Sequence, residues 1–435
     1  MGLSAGPGTQ ADVAPLSAGQ SQLSVQRLGR SIVTGTPDSS QTRTRKRVLH
    51  LAVEYPSLNR DSNTPAVRHF IRANPDVDYR VFALRRTSNP FAVNALEGDD
   101  EGDPKVTSMQ YWGLPWGMLL FLSMTLLAWR IRRQIRRERL HVDLVHAHKF
   151  AFEGIAGWWL SRWLGVPLVL SVRGEAEAKI LRFKPHYDLF FRRQLRDAAR
   201  IYYVSAWFKP LLNARFTIDP NKQKLLPNFV AERHWVITPD FREDHLVSIM
   251  DLNVLKKKGL AKLLTAVARL APRHPKLKLD IIGGGSGAAM RQARQMIAAQ
   301  GVEDRVTLVG EMDNTQLLAQ LPRYGGMVLP SVDETFGMVY VEALMSGVPI
   351  LHSKETGIDG FLEEIPARVM ADPYCDDSVA EAMERLLSSQ RDYREWLLAH
   401  QDVVAEKFSR RSHIEEYNRD LSLSTLLGTV GDAVS

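Results

Sequence analysis

Two carboxylates eight positions apart, Glu334 and Glu342, frame the stretch DETFGMVYVEALMSGVPI, residues 333–350. From Met338 to Ser346 the stretch reads as a short helix with nearly all faces apolar, carrying Met338, Val339, Val341, Ala343, Leu344 and Met345 around Glu342. A buried, unpaired carboxylate is expensive or becomes neutral, so Glu342 needs a partner. Its two oxygens suit the hydroxyls of a ribose, the use that acidic residues have in dinucleotide folds. Just before it, Phe336, Gly337 and Met338 should start the helix, where free amides and the positive dipole end favour an anionic oxygen.

Two further segments add phosphate chemistry. IIGGGSG (281–287) joins a strand to a helix, the setting in which glycines let backbone amides approach a phosphate; taken alone it is as well explained by a tight turn. In LKKKGL (255–260) Lys258 stands at a helix start and could neutralise a diphosphate, while Lys256 and Lys257 read as a solvated basic turn. The acidic run EGDDEGDP (97–104) reads as a solvated loop and not a metal site. His146 and His148 end a strand, where histidines are more often structural than cleft-lining.

The elements that must position these residues alternate. RVLHLAVEYP (47–56), DYRVFALRR (78–86), DLVHAH (143–148), PLVLSVRG (167–174) and the start of AARIYYVSAWFKPLL (198–212) are apolar strands with helices between them. The alternation restarts at LVSIMDLN (246–253) and continues through 277–283, 305–310, 325–331, 348–353 and 367–371, with helices near 377–389 and 391–421. Strands rich in Val, Ile and Leu that alternate with helices imply parallel sheets covered on both faces. The expected fold is therefore α/β: two Rossmann-like, doubly wound domains facing a central cleft, with ligands at the carboxyl ends of the strands. Residues 1–44 are too polar to form a core and show no secretory apolar stretch. The expected order is a first domain over 45–227, a linker over 228–244, a second domain over 245–405, a helix over 406–421 crossing back to the first domain, and a tail over 422–435. A composition of 45% hydrophobic and 24% charged residues is that of a globular protein, and a lone cysteine, Cys375, excludes an intramolecular disulfide framework.

The net charge of +7 is concentrated: RIRRQIRRERL (130–140) has six arginines and one glutamate, or +5. A nucleic-acid binder would spread its basic surface more widely, so no nucleic-acid partner is expected. The apolar stretch 111–129 precedes this cluster. It is long enough to span a bilayer, but spanning would put the strands at 47–53 and 143–147 on opposite sides. An interfacial helix fits better, with Trp112, Trp116, Phe121 and Trp129 on apolar surface and arginines meeting anionic headgroups; the plainer reading is a core helix followed by a solvated basic one.

From Pro330 to Pro349 the pattern P-S-x-x-E-T-F-G-x-x-x-x-E-A-x-x-x-G-x-P resembles the E-x7-E signature of the retaining GT-B glycosyltransferases of family 4. DLVHAH, LGVPLVLSVRG, AARIYYVSAWFKPLL, LLPNFV, KKGLAKLLTAVARL and IIGGG stand in that family's order, so the resemblance spans most of 45–421. It implies transfer of a sugar, with retention, from a nucleotide-diphosphate sugar of UDP or GDP type to an acceptor hydroxyl. Glu342 would hold the ribose, Glu334 would face the donor sugar beside the amides of Phe336, Gly337 and Met338, and Lys258 would meet the diphosphate with backbone at Gly284 and Gly285. Lysine and dipoles would then stabilise the leaving group, with no metal and no cofactor beyond the co-substrate. Asn253 takes a donor-site position where the family often has Arg. Arg173-Gly174 replaces the usual His-Gly, so Arg173 is the catalytic candidate that would stand in as a charge, and Ser62-Asn63-Thr64-Pro65 replaces the usual Gly-Gly. With the 111–140 segment, the acceptor is expected to be a lipid-linked molecule or glycan in polysaccharide or glycolipid assembly, at the cytoplasmic face of a membrane. A GT-B sugar-nucleotide epimerase, a soluble glycan synthase and an inactive scaffold stay open as alternatives. An NAD-dependent dehydrogenase is disfavoured, because IIGGGSG lacks an acidic residue about twenty positions on.

Overall fold

The computed structural model describes residues 45–59, 66–230, 235, 238 and 240–422, and in it the strands form two sheets. The expectations for 1–44, for Ser62–Pro65 and for 423–435 lie outside the described residues.

The first sheet holds β1 (Lys46–Ala52), β2 (Val77–Thr87), β3 (Ala95–Glu97), β4 (Val106–Trp112), β5 (Leu144–Ala147), β6 (Leu168–Val172), β7 (Arg200–Tyr203) and β8 (Gln223–Leu225), in the order β3-β4-β2-β1-β5-β6-β7-β8. All pairings are parallel except β3 with β4. The second sheet holds β9 (Arg242–Ile249), β10 (Lys278–Ile282), β11 (Val306–Gly310), β12 (Tyr324–Leu329), β13 (Ile350–Ser353) and β14 (Arg368–Ala371), in the wholly parallel order β11-β10-β9-β12-β13-β14. In each sheet the chain winds outward one way, returns to the middle and winds out the other way. That is double winding, with a switch point between β1 and β5 and another between β9 and β12. The continuous burial of β5, β6, β7, β12 and β13 is why they read as unbroken apolar runs.

Four expectations change. The stretch 111–129 is not one helix: Tyr111 and Trp112 close β4, pairing with Arg86 and Thr87 of β2, and the helix Leu120–Glu138 begins later and runs through the basic cluster. One stripe of that helix, including Met124, Leu127, Ile131 and Ile135, is buried, a contribution on the order of 2 kcal/mol per side chain. The acidic run 97–104 is no solvated loop, for Asp99 is buried, its Oδ2 is 2.6 Å from Arg72, and its Oδ1 accepts the amides of Glu101 and Asp103. A turn that folds back on its own aspartate reads as polar in sequence whether or not an arginine closes it. The linker ends earlier than position 244, since β9 starts at Arg242. Finally, 391–421 is three helices, Gln390–Ala399, Gln401–Lys407 and Arg410–Ser422.

Val404 and Phe408 belong to the core of the second sheet. Helix Arg410–Ser422 packs Tyr417 and Leu421 against Val48, Leu144, Val169 and Tyr202 of the first. Its buried Asp420 receives Arg200, the Tyr202 hydroxyl and Lys224. No helix among the described residues is long and apolar enough to cross a membrane.

Candidate functional site

A cavity of about 1120 Å³ lies at the carboxyl ends of the strands beside both switch points, and all ten residues named from the sequence as catalytic or donor-binding candidates line it. Arg173 lies on the first-sheet wall. Asn253, Lys258, Gly284, Gly285, Glu334, Phe336, Gly337, Met338 and Glu342 lie on the second.

The second-sheet wall is chiefly backbone, and at Gly283 no larger residue fits. Gly283 has φ +148°, and a Cβ there would sit 1.8 Å from the Met250 carbonyl oxygen. Asn253 holds the loop that follows: its Oδ1 accepts the Ser286 amide and its Nδ2 donates to Asp251, each at 2.9 Å. Its side chain is thus engaged in fastening the glycine loop. Gly337, at φ +81°, caps helix Met338–Met345 without any side-chain cap, leaving the first-turn amides toward the cavity. The Phe336 ring is buried against Phe361 and Phe408, so this residue offers the cavity backbone and not its ring.

Lys258 and Glu334 come together, Nζ to Oε2 2.5 Å, both largely covered. Glu334 is itself fixed, its amide donating to Thr356 Oγ1 and its carbonyl accepting the Gly357 amide. Glu342 is not sealed in the core as the apolar run suggested. It is half-buried on the cavity side of its helix, where Asn314 Nδ2 donates to its Oε1 at 3.1 Å.

The first-sheet wall is built from side chains. Register pairs His50 of β1 with His146 of β5, and His148 follows two residues later. His50 Nδ1 and His148 Nε2 are 3.1 Å apart, while His146 meets the Ser171 hydroxyl at 2.8 Å and the Tyr417 hydroxyl at 3.0 Å. The rings of His146 and His148 stack at 4.2 Å. Burial lowers all three pKa values, that of His50 to about 3, with neighbouring imidazoles and Arg173 pushing His148 further down. The three can each offer a nitrogen within 4.8 Å of the others, a grouping able to hold a metal. Yet both nitrogens of His146 already have partners and His50 bonds His148, so the cluster is satisfied as a hydrogen-bonded network. Of the two strand-end histidines, His148 lines the cavity, contrary to a purely structural reading, and His146 lies behind it.

Residues that sequence reasoning did not find complete this wall. Glu177 accepts the amides of Phe150, Arg173 and Gly174 at 2.6–2.8 Å, although burial pushes its pKa up to about 7. The G-x-x-E spacing from Gly174, a helix-start pattern, was its available signal. Glu153 is wholly buried, accepts the Val53 amide, and is raised to about 8 by burial, with Lys149 opposing. Lys149 holds Glu54 at 2.5 Å. The two walls touch where the Ser205 hydroxyl lies within 2.7 Å of the Arg173 carbonyl and 2.6 Å of the Thr335 carbonyl.

Comparison with known proteins follows the same division. Residues 67–234 match the family model described as Glycosyltransferase Family 4, and residues 238–398 match that for Glycosyl transferases group 1. A D-inositol 3-phosphate glycosyltransferase of Pseudarthrobacter chlorophenolicus is 28% identical over 274 residues, 58% of this chain and 64% of that one, so the match spans just under two thirds of that relative. Among solved structures, sucrose-phosphate synthase from Thermosynechococcus elongatus superposes with a TM-score of 0.66 at 17% identity, covering 86% of this chain and 98% of its own. Anabaena HepE in complex with UDP and glucose gives 0.61 at 15% identity over 87% and 99%. With both sheets doubly wound, a cleft at their switch points and a family match in each half, the chain belongs to the family 4 glycosyltransferases of GT-B fold.

Proposed function

We propose that the protein transfers a sugar from a nucleotide-diphosphate sugar, with retention of anomeric configuration, to a hydroxyl of a lipid-linked acceptor or glycan at an anionic membrane surface. The observation that carries this reading is the second-sheet wall, where the backbone of 336–338 at the start of a helix without a side-chain cap, the Lys258–Glu334 pair and the Glu342 carboxylate surround one cavity. A diphosphate there meets helix amides and Lys258, the ribose hydroxyls donate to Glu342, and Glu334 faces the sugar. Leaving-group charge is carried by fixed donors, so no divalent metal is needed. HepE, whose structure holds UDP, supports a nucleotide donor by likeness of fold. Retention rests on the family resemblance of the E-x7-E stretch.

The test is a thermal-shift panel with UDP, GDP, ADP and NAD in EDTA, on the wild type and Glu342→Ala. One nucleoside diphosphate should stabilise the wild type, and the variant should bind it at least about tenfold more weakly. Unchanged affinity in the variant removes the ribose assignment, a shift with NAD alone overturns the transferase reading, and a shift only after magnesium is added puts a metal in the site.

The membrane part rests on helix Leu120–Glu138, whose exposed stripe runs Leu122, Leu126, Trp129 and then Arg133 and Arg136. Trp116 is 91% exposed at its foot. Not all six arginines are available: Arg130 donates to the Gln110 carbonyl and Arg132 lies over the Trp163 ring. Changing Arg133, Arg136, Arg137 and Arg139 to Gln should release the protein from anionic vesicles, since each basic residue near such a surface contributes about 1 kcal/mol. Full retention on the vesicles would show that this charge is incidental to binding, and a wild type that does not bind them at all argues for a core helix with a solvated basic end. Such binding would place the protein at the inner, cytoplasmic face, where anionic lipid is enriched.

A further inference from the structure

Arg173 is buried in the wall of an open cavity, and its one ion pair among the described residues, to Glu54, is long. The residue is 5% exposed and lines the cleft just beyond the end of β6. Its Nε has no hydrogen-bond partner, and its guanidinium makes no hydrogen bond to any described residue. The nearest carboxylate oxygen is Glu54 Oε2 at 3.7 Å, outside hydrogen-bond reach, and the other oxygen of Glu54 is held by Lys149. Glu177 is close in sequence, but its oxygens take the backbone amides of Phe150, Arg173 and Gly174.

The one carboxylate within ion-pair distance, that of Glu54, is shared with Lys149. Burial keeps His146 and His148 neutral, so neither adds a competing positive charge to this wall. A desolvated guanidinium with free donors is costly unless an anion completes it, and its planar fork matches a carboxylate or phosphate in two parallel hydrogen bonds. Position matters as well. The Arg173 carbonyl and that of Thr335, next to Glu334, share the Ser205 hydroxyl, so Arg173 stands across from the place proposed for the transferred sugar.

We propose that Arg173 binds an acidic group, a carboxylate or phosphate, carried by the donor sugar or by the acceptor. The inference rests on the transferase reading above and narrows its substrates to those with an acid on one partner. Arg173 holds that acid while the nucleotide occupies the opposite wall.

The test keeps the two readings apart. Inorganic phosphate is titrated into the full chain already saturated with its nucleoside diphosphate, so the diphosphate site is filled and only a second anion site can respond. The wild type should show a saturable rise in Tm, and Arg173→Gln should weaken phosphate at least about tenfold while binding the nucleotide as before. Glu54→Gln, which removes the nearest competing carboxylate, should shift phosphate affinity the opposite way, about threefold tighter by the same arithmetic. That variant keeps the proposal testable if Arg173→Gln does not fold. UDP-glucuronate against UDP-glucose, and glucose 6-phosphate against glucose, then assign the acid to donor or acceptor; preference for either acidic member, lost in Arg173→Gln, supports the proposal. No saturable phosphate response in the wild type, or equal phosphate affinity in Arg173→Gln, overturns it. Failure of every nucleotide to bind overturns the transferase reading, and this inference with it.

Discussion

The two walls of the cleft are made differently. The second-sheet wall is mostly main chain, glycine turns and helix amides, with one ion pair joining residues 76 positions apart. The first-sheet wall is a web of side chains: His50 meets His148 across 98 positions, and His146 meets Tyr417 across 271. A wall of backbone depends on a few residues that must be glycine. A wall of buried titratable groups depends on every member finding its partner, and so its stability responds to protons. The first can hold the part of a substrate that never varies, while the second can be retuned one side chain at a time.

Breaking the backbone wall should produce the larger effect. In Gly283→Ala the new Cβ would lie 1.8 Å from the Met250 carbonyl oxygen at a φ of +148°, so β9 and the glycine loop cannot both keep their places. The expected result is loss of nucleotide binding and a stability loss of about 3 kcal/mol or more, among the largest for a single substitution. Gly301→Ala is the control, for Gly301 also has positive φ, +63°, but nothing lies within 4 Å of its Cβ. That change should cost only about 1 kcal/mol of backbone strain and leave nucleotide binding alone. Equal effects at the two positions would mean that conformational strain, not close approach, shapes the wall.

This difference also governs what could be read from the sequence. Lys258, Gly284, Gly337 and Glu342 sit within short segments that local rules mark as candidates, glycine before a helix, amides at its start, a carboxylate one turn in, and Glu334 is marked by the family resemblance. Their alternating strands and helices gave the double winding as well. His50, Glu54, Lys149 and Glu153 carry no such local mark, and Glu177 carries only the helix-start spacing from Gly174. Their meeting depends on the β1–β5 register and on Tyr417 returning from the far end of the chain, and neither is written in any window of sequence. Strand β4 was missed for a related reason. Its last residues, Tyr111 and Trp112, merge into the apolar run that leads to the next helix, and periodicity cannot divide one apolar run into two elements. Asn253 lines the cavity, but what its amide does depends on Ser286 and Asp251 beside it, which no local pattern marks.

The smaller effect tests the first wall through its protons. Glu153 has a folded-state pKa of about 8 against an ordinary value of 4.5, so the folded protein binds its proton more tightly than the unfolded chain does. The stability tied to that proton is complete below about pH 4.5 and is lost as pH rises toward 8. The histidines have the opposite sign: their lowered values remove stability as pH falls below 6.5, for His50 down to about 3. Glu153→Gln retains an oxygen for the Val53 amide and cannot ionise. Its Tm should therefore be close to that of the wild type near pH 5 and several degrees higher near pH 8.5, a few degrees corresponding to about 1 kcal/mol in a protein of this size. The acid limb, set by the histidines, should be the same in both proteins. Parallel curves across the whole range would show that Lys149 keeps Glu153 ionised in the fold, and the first wall would then carry one more negative charge beside Lys149.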